Sequence, residues 1–172
     1  NFRNEIDKAE KYKILEFSKN TEGWNDELTK IADQHIDINH PIDVASRELC
    51  IEFLEKYENS INKIVLEIGC SSGNLINKIK ELKKYNYIGS DAIKDNIDKL
   101  SNLHKDNPFI VFDLLKNPFK KSICNALIML NVLEHIKDDN SALIEANKLL
   151  DKNGILIVEV PSGKFLYDDY DK

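Results

Sequence analysis

The sequence is poor in cysteine, proline and glycine, with 3 Cys, 4 Pro and 6 Gly among 172 residues. Cys50, Cys70 and Cys124 stand 20 and 54 positions apart, which offers neither a paired metal-ligand spacing nor an even disulfide framework. A reducing compartment suits the chain, and no metal is expected. Low Pro and Gly without any low-complexity tract exclude the fibrous and disordered classes. No apolar run approaches the roughly 20 residues of a membrane-spanning helix. The opening NFRNEIDKAEKYK is too polar for a signal segment, so the expected location is the cytoplasm, away from membranes. Basic charge is also in deficit, since 24 Lys and Arg against 30 Asp and Glu give −6, which argues against a partner made of nucleic acid or anionic lipid. What is present, 42% hydrophobic and 31% charged residues, suffices for one folded domain with a real core.

Along the chain, the first sixty residues read as helical and the remainder alternates short apolar runs with amphipathic segments. Ile6, Ala9, Lys13 and Phe17 give a weak helical period, Trp24, Leu28, Ile31 and Ala32 a second, and Val44, Leu49, Phe53 and Tyr57 a third that Pro41 opens. From Lys63 the pattern becomes strand, turn, helix. IVLEIG is followed by a stripe of Leu75, Ile76, Ile79 and Leu82, and NYIGSD by a stripe of Ile93, Ile97, Leu100 and Leu103. PFIVFD is a third strand and residues 123–130 a buried fourth. Asp138 to Ser141 supply capping groups for a helix over 142–150 that Asn153 and Gly154 end, and ILIVEV is the fifth strand. Five strands with right-handed helical crossovers make a doubly wound, Rossmann-like parallel α/β sheet, whose ligand crevice lies at the carboxyl ends of the strands.

Those ends carry the chemistry. Glu67-Ile68-Gly69-Cys70-Ser71-Ser72-Gly73 is a strand-to-helix turn where a ligand can approach bare backbone N–H groups, although a plain turn with a packing glycine would look the same. Its spacing is not the G-x-G-x-x-G of dinucleotide binding, and Glu67 would repel a pyrophosphate while suiting a cation. Cys70 reads as a small residue in the turn rather than a nucleophile. Asp91, 22 positions after Gly69, can accept from both hydroxyls of a ribose or cap the following helix. Asp113 can meet an exocyclic amine or form a turn before Leu114.

Read together, EIGCSSGN, GSD, FDLLKNPF and the long block ALIMLNVLEHIKDDNSALIEANKLLDKNGILIVEVPSG resemble the class I S-adenosylmethionine-dependent methyltransferases over roughly residues 63 to 163. The resemblance implies S-adenosylmethionine as cofactor. It implies Glu67 and Gly69 at the methionine portion, and Cys70, Ser71 and Gly73 on the backbone side. Asp91, with Ala92 after it, falls at the ribose, Asp113 and Leu114 at the adenine, and Asn131 near the reacting methyl. It also implies an organisation into a helical cap or lid over residues 1–60, a cofactor-binding core over 61–163 and a tail over 164–172. Ser71 stands where the family usually has its central glycine. The family's sheet has two further strands, the last antiparallel. An unpaired ILIVEV edge therefore points to a longer natural protein, to cover by the tail, or to pairing with a second copy of the chain.

Methyl transfer from a sulfonium is an in-line displacement that needs positioning rather than a metal or a covalent nucleophile. A hydroxyl acceptor would gain from a general base. His135 is the catalytic candidate, beside Glu134 and the tail residues Asp168 and Asp169, but it fits a packed, structural place as well. Tyr12, Trp24 and Arg47 are candidates from the cap. Arg47 suits either a cofactor carboxylate or an exposed helix ion pair with Asp43 or Glu48. The leading expectation is a methyltransferase acting on a small-molecule acceptor. A non-catalytic binding module with the same fold, and a nucleotide-cofactor oxidoreductase, are the competing readings. The sequence LNVLEH after the fourth strand is unlike the N-P-P-Y element of amino-group nucleic-acid methyltransferases.

Overall fold

A computed structural model describes residues 14–18, 40–58 and 60–161. Six parallel strands form one sheet: β1 (Ile14–Glu16), β2 (Lys63–Ile68), β3 (Tyr85–Asp91), β4 (Phe109–Val111), β5 (Cys124–Leu130) and β6 (Leu150–Glu159). Their order is β1-β4-β3-β2-β5-β6, so the chain winds outward from β2 in one direction and then returns to add β5 and β6 on the other side. The reversal lies between β2 and β5, where an open α/β sheet forms its ligand crevice.

Helices α1 (Pro41–Tyr57), α2 (Ile76–Glu81) and α3 (Lys94–Leu103) share one core with the sheet, which contains Leu54, Ile76, Ile79, Ile97 and Leu100 against Val65, Tyr87, Phe109 and Ile128. Helix α4 (Asp139–Leu149) covers the opposite face, where Ala142, Ala146 and Leu149 meet Leu66, Ile88, Leu127 and Met129. A doubly wound architecture follows from burial on both faces, which is why these strands read as continuous apolar runs rather than alternating ones.

Several expectations require correction. Residues 14–16, read as helix, form β1 instead: Ile14 pairs with Phe109 and Glu16 with Val111, because the outer edge of β4 offers ladder partners that a three-residue segment cannot advertise in its own sequence. Among the described residues the sheet therefore has six strands, not five. Helix α4 runs from Asp139 and ends at Leu149, and β6 begins at Leu150 rather than at Ile155. Leu150 pairs with Cys124 and Ile155 with Ala126. The register shift between them is a bulge that takes up the intervening residues and leaves Asn153 at φ 70°. Leu103, placed on the α3 stripe, is 74% exposed. The segment holding Trp24, Leu28, Ile31 and Ala32, together with Ile6, Ala9, Tyr12, Lys13, Ser162, Gly163 and the tail with Asp168 and Asp169, lies outside the described residues. Pro41 opens α1 as expected, and the Asp138 side chain accepts from Ser141 N at 3.0 Å to cap α4. Among the described residues no helix is long and apolar enough to cross a membrane.

Candidate functional site

The strand ends align in register. Ile68 stands opposite Ser90 on β3 and Met129 on β5, and Ser90 opposite Ile110 on β4, so the residues that follow each strand emerge along one rim. After β2 the chain turns sharply. Gly69, Ser71 and Gly73 have φ of 73°, 39° and 76°, a repeated left-handed conformation that turns successive peptide N–H groups. Cys70 N–H donates to Ser90 O (2.9 Å) and Gly73 N–H to Cys70 O (2.7 Å), which closes the turn onto β3. Glycine is required at both ends of the turn by packing as well as by φ. A Cβ at Gly69 would lie 2.5 Å from Val132 Cγ2, and one at Gly73 would lie 2.5 Å from Leu100 Cδ2. The Gly69 contact also brings the segment after β5 against the turn after β2. Ser71 takes the left-handed conformation without that exemption.

Asp91 closes the other side. It is buried, and its carboxylate accepts from Ser71 N–H (Oδ2, 3.0 Å), Ile93 N–H (Oδ1, 2.8 Å) and Asn96 Nδ2 (Oδ2, 3.4 Å). The helix-start reading of Asp91 is thus realised, since one carboxylate at the strand end ties the turn to the start of α3. Ala92 follows, half-buried. Glu67, 6% exposed, sits below the turn and accepts the Tyr87 hydroxyl on Oε2, while its carbonyl accepts from Ser90 Oγ (2.8 Å). Burial pushes the Glu67 carboxyl up to about 7. The Tyr87 hydrogen bond opposes that rise and the nearby Asp91 charge adds to it. Burial, with Glu67 and Asp91 adding to it, pushes the Cys70 thiol well up, so it is not a thiolate nucleophile.

At β4, Asp113 caps a 3-10 turn (Leu114–Lys116) by accepting Leu115 N–H at 3.0 Å, its own N–H donates to Ser18 Oγ (3.0 Å), and Leu114 is buried. The turn-forming reading of Asp113 is therefore realised, at the strand end where the adenine position was expected. Ser18, just past β1, was not legible as a contributor, because β1 itself was not. Beyond β5, Asn131 is exposed with φ 52°, and its N–H donates to Glu159 O (3.0 Å). His135 ends a 3-10 turn (Leu133–His135), is exposed, and has Nε2 3.9 Å from Glu134 Oε1. Turn geometry and shared contacts thus gather Glu67, Gly69, Cys70, Ser71, Gly73, Asp91 and Ala92 into one unit. Asp113 with Leu114 lies along the rim on one side, and Asn131 with His135 on the other.

Of the two readings of Arg47, the exposed helix ion pair is not realised: the side chain is buried, on the same face of α1 as Cys50 and Leu54. Lys78 of α2 lies 3.6 Å from Glu48, and Lys84, beyond α2, lies 2.8 Å from Glu55, which tethers α1 to its neighbours. Tyr87 was missed altogether. Its signal is the β2–β3 register, which pairs Val65 with Tyr87 and so sets Tyr87 on the face that Glu67 shares.

Comparison with known proteins agrees with this geometry. A family model described as a methyltransferase domain matches residues 66–158, more than half of the chain. The ubiquinone biosynthesis O-methyltransferase of Pelagibacter ubique is 29% identical over 165 residues, which cover 90% of this chain and 65% of that protein. An uncharacterized protein of Methanocaldococcus jannaschii is 35% identical over 107 residues, covering 62% of this chain and 44% of its own length. The chain thus spans less than two thirds of these relatives. A crystal structure of a Pyrococcus horikoshii protein superposes with a TM-score of 0.63 at 24% identity, over 78% of this chain and 66% of that one. The chain belongs to the class I S-adenosylmethionine-dependent methyltransferases, and S-adenosylmethionine is the cofactor that this membership implies.

Proposed function

We propose that the crevice at the carboxyl ends of β2, β3 and β5 binds S-adenosylmethionine and that the protein transfers its methyl group to a small-molecule acceptor. The observation that carries this reading is the 3.0 Å bond from Ser71 N–H to Asp91 Oδ2, which makes the glycine-rich turn and an acceptor-only carboxylate one preorganised unit. The donor set fits the cofactor in kind. Glu67, Asp91 and Asp113 line the strand ends with carboxylates, which suit a sulfonium, an ammonium and a ribose diol, and oppose the pyrophosphate of a dinucleotide. In this reading Asp91 with Ala92 holds the ribose, Asp113 and Leu114 flank the adenine, and Glu67 faces the cationic methionine end. Gly69, Cys70, Ser71 and Gly73 provide the backbone wall, and Asn131 stands nearest the reacting centre.

The bound cofactor supplies a methyl group already activated by its positive sulfur. The chain's own contribution is positional, namely to hold an acceptor in line and to keep water out. The Pelagibacter relative supports oxygen as the atom methylated. A hydroxyl acceptor must lose its proton, and His135, exposed at the rim beyond β5, is the base that this reading assigns. The partner is a small molecule rather than nucleic acid or membrane.

The test is incubation with S-adenosylmethionine carrying a labelled methyl group and a panel of small hydroxylated acceptors. Label recovered on an acceptor oxygen, with S-adenosylhomocysteine released, is the expected result. A protein that binds the cofactor and methylates no small molecule would instead be a binding module.

A further inference from the structure

We propose that Tyr87 is a positioning residue for the cationic end of the cofactor, acting through Glu67. The inference rests on the cofactor reading above. Tyr87 lies on β3 and is 3% exposed, so it can act only through a neighbouring side chain. The β2–β3 register sets Val65 opposite Tyr87 and Glu67 opposite Gly89, so strand alternation puts the phenol and the carboxyl on one face of the sheet, one residue pair apart. The hydroxyl donates to Glu67 Oε2. Gly89, opposite Glu67, is closely packed, since a Cβ there would stand 2.9 Å from the Phe109 ring and 3.2 Å from Cys70 Sγ. Ser90 Oγ holds the Glu67 carbonyl at 2.8 Å, so both ends of the residue are fixed from β3.

The groups around Glu67 come from four elements. Tyr87 and Asp91 face it from β3 and the Cys70 thiol from the turn. Cys50 approaches from α1, with Arg47 buried on the same helix face, and Glu159 of β6 lies beyond Cys50. Burial favours the neutral acid at Glu67, whereas a hydroxyl donor favours the carboxylate. Tyr87 therefore sets how much of Glu67 is ionised near neutral pH, and so how much is ready to receive a cation without first losing a proton. A cation arriving at Glu67 completes the ionisation and the proton leaves to solvent. Binding then strengthens as pH rises through about 7 and levels off above it.

Titration calorimetry of the full chain with S-adenosylhomocysteine between about pH 6 and pH 8.5 tests this, for the parent protein, Tyr87→Phe and Glu67→Gln. If losing the phenol raises the Glu67 midpoint by about one unit, the ionised share at pH 7 falls from about a half to about a tenth. Tyr87→Phe should then bind about fivefold more weakly at pH 7 and within about twofold of the parent by pH 8.5. Glu67→Gln should show no such pH dependence. A Tyr87→Phe defect of equal size at every pH, or a profile superimposable on the parent's, would overturn the assignment. A Glu67→Gln variant that keeps the parent's pH dependence would overturn it independently of how Tyr87→Phe folds. A parent protein that binds at no pH would overturn the cofactor reading itself, and this inference with it.

Discussion

Asp91 is asked to do two things at once. Its carboxylate takes backbone N–H bonds from Ser71 and Ile93, and so joins the turn after β2, proposed above to bind the cofactor, to the helix that follows. Truncation should weaken binding of S-adenosylhomocysteine by about 1–3 kcal/mol, since a charge-assisted acceptor and the support for the turn are both removed. Calorimetry on folded Asp91→Ala protein checks this, and unchanged affinity would remove Asp91 from the site. Glu67 makes a prediction in stability. Its carboxyl is raised from 4.5 to about 7 by burial, so the folded state holds a proton that the unfolded state gives up between those values. The contribution of Glu67 is fully present below about pH 4.5 and is lost as pH rises through about 7, a swing of up to about 3 kcal/mol. Glu67→Gln, which can still accept the Tyr87 hydroxyl, should flatten the pH dependence of urea unfolding across that window. Tyr87 itself could not be found from the sequence, because its role depends on which β2 residue it faces, and register is a property of the pair of strands rather than of either one.

The turn after β2 also meets helix α3 through Gly73. Gly73 has φ 76°, and a Cβ there would press on Leu100 Cδ2, so Gly73→Ala should destabilise the protein by about 2 kcal/mol and weaken cofactor binding as the turn shifts. On the segment beyond β5, three residues past His135, Asp138 caps α4 through Ser141. Asp138→Ala should cost about 1 kcal/mol in thermal unfolding and leave the affinity for S-adenosylhomocysteine unchanged. A loss of affinity in that variant would mean that helix stability, not local geometry, governs the site. The long elements were legible because their burial is two-sided and their capping chemistry local, as for β2, β5 and the Asp138 cap. Strand β1 was not. Three residues, Ile14-Leu15-Glu16, are too few to show alternation, and they are extended because β4 provides a partner. The start of β6 was obscured for a related reason, since Asn153 and Gly154 look like a helix stop yet form a bulge that pairing with β5 imposes.

At the scale of the whole molecule, function follows from where the winding reverses. The strand order places β2 beside the reversal, and the glycine-rich turn and Asp91 lie at the carboxyl ends next to it. That much could be read in advance, because the acids and glycines fall at strand ends whatever the strands' partners. Which acids are buried, and that Arg47 turns inward, depends on how α1 packs over the sheet and could not. The central claim is that this rim is an S-adenosylmethionine site, and calorimetric titration with S-adenosylhomocysteine beside NAD at pH 8 tests it most directly. The account predicts saturable binding of S-adenosylhomocysteine and none of NAD, whose pyrophosphate would meet Glu67 and Asp91. Absence of S-adenosylhomocysteine binding by the folded chain, or binding of NAD in its place, would contradict it.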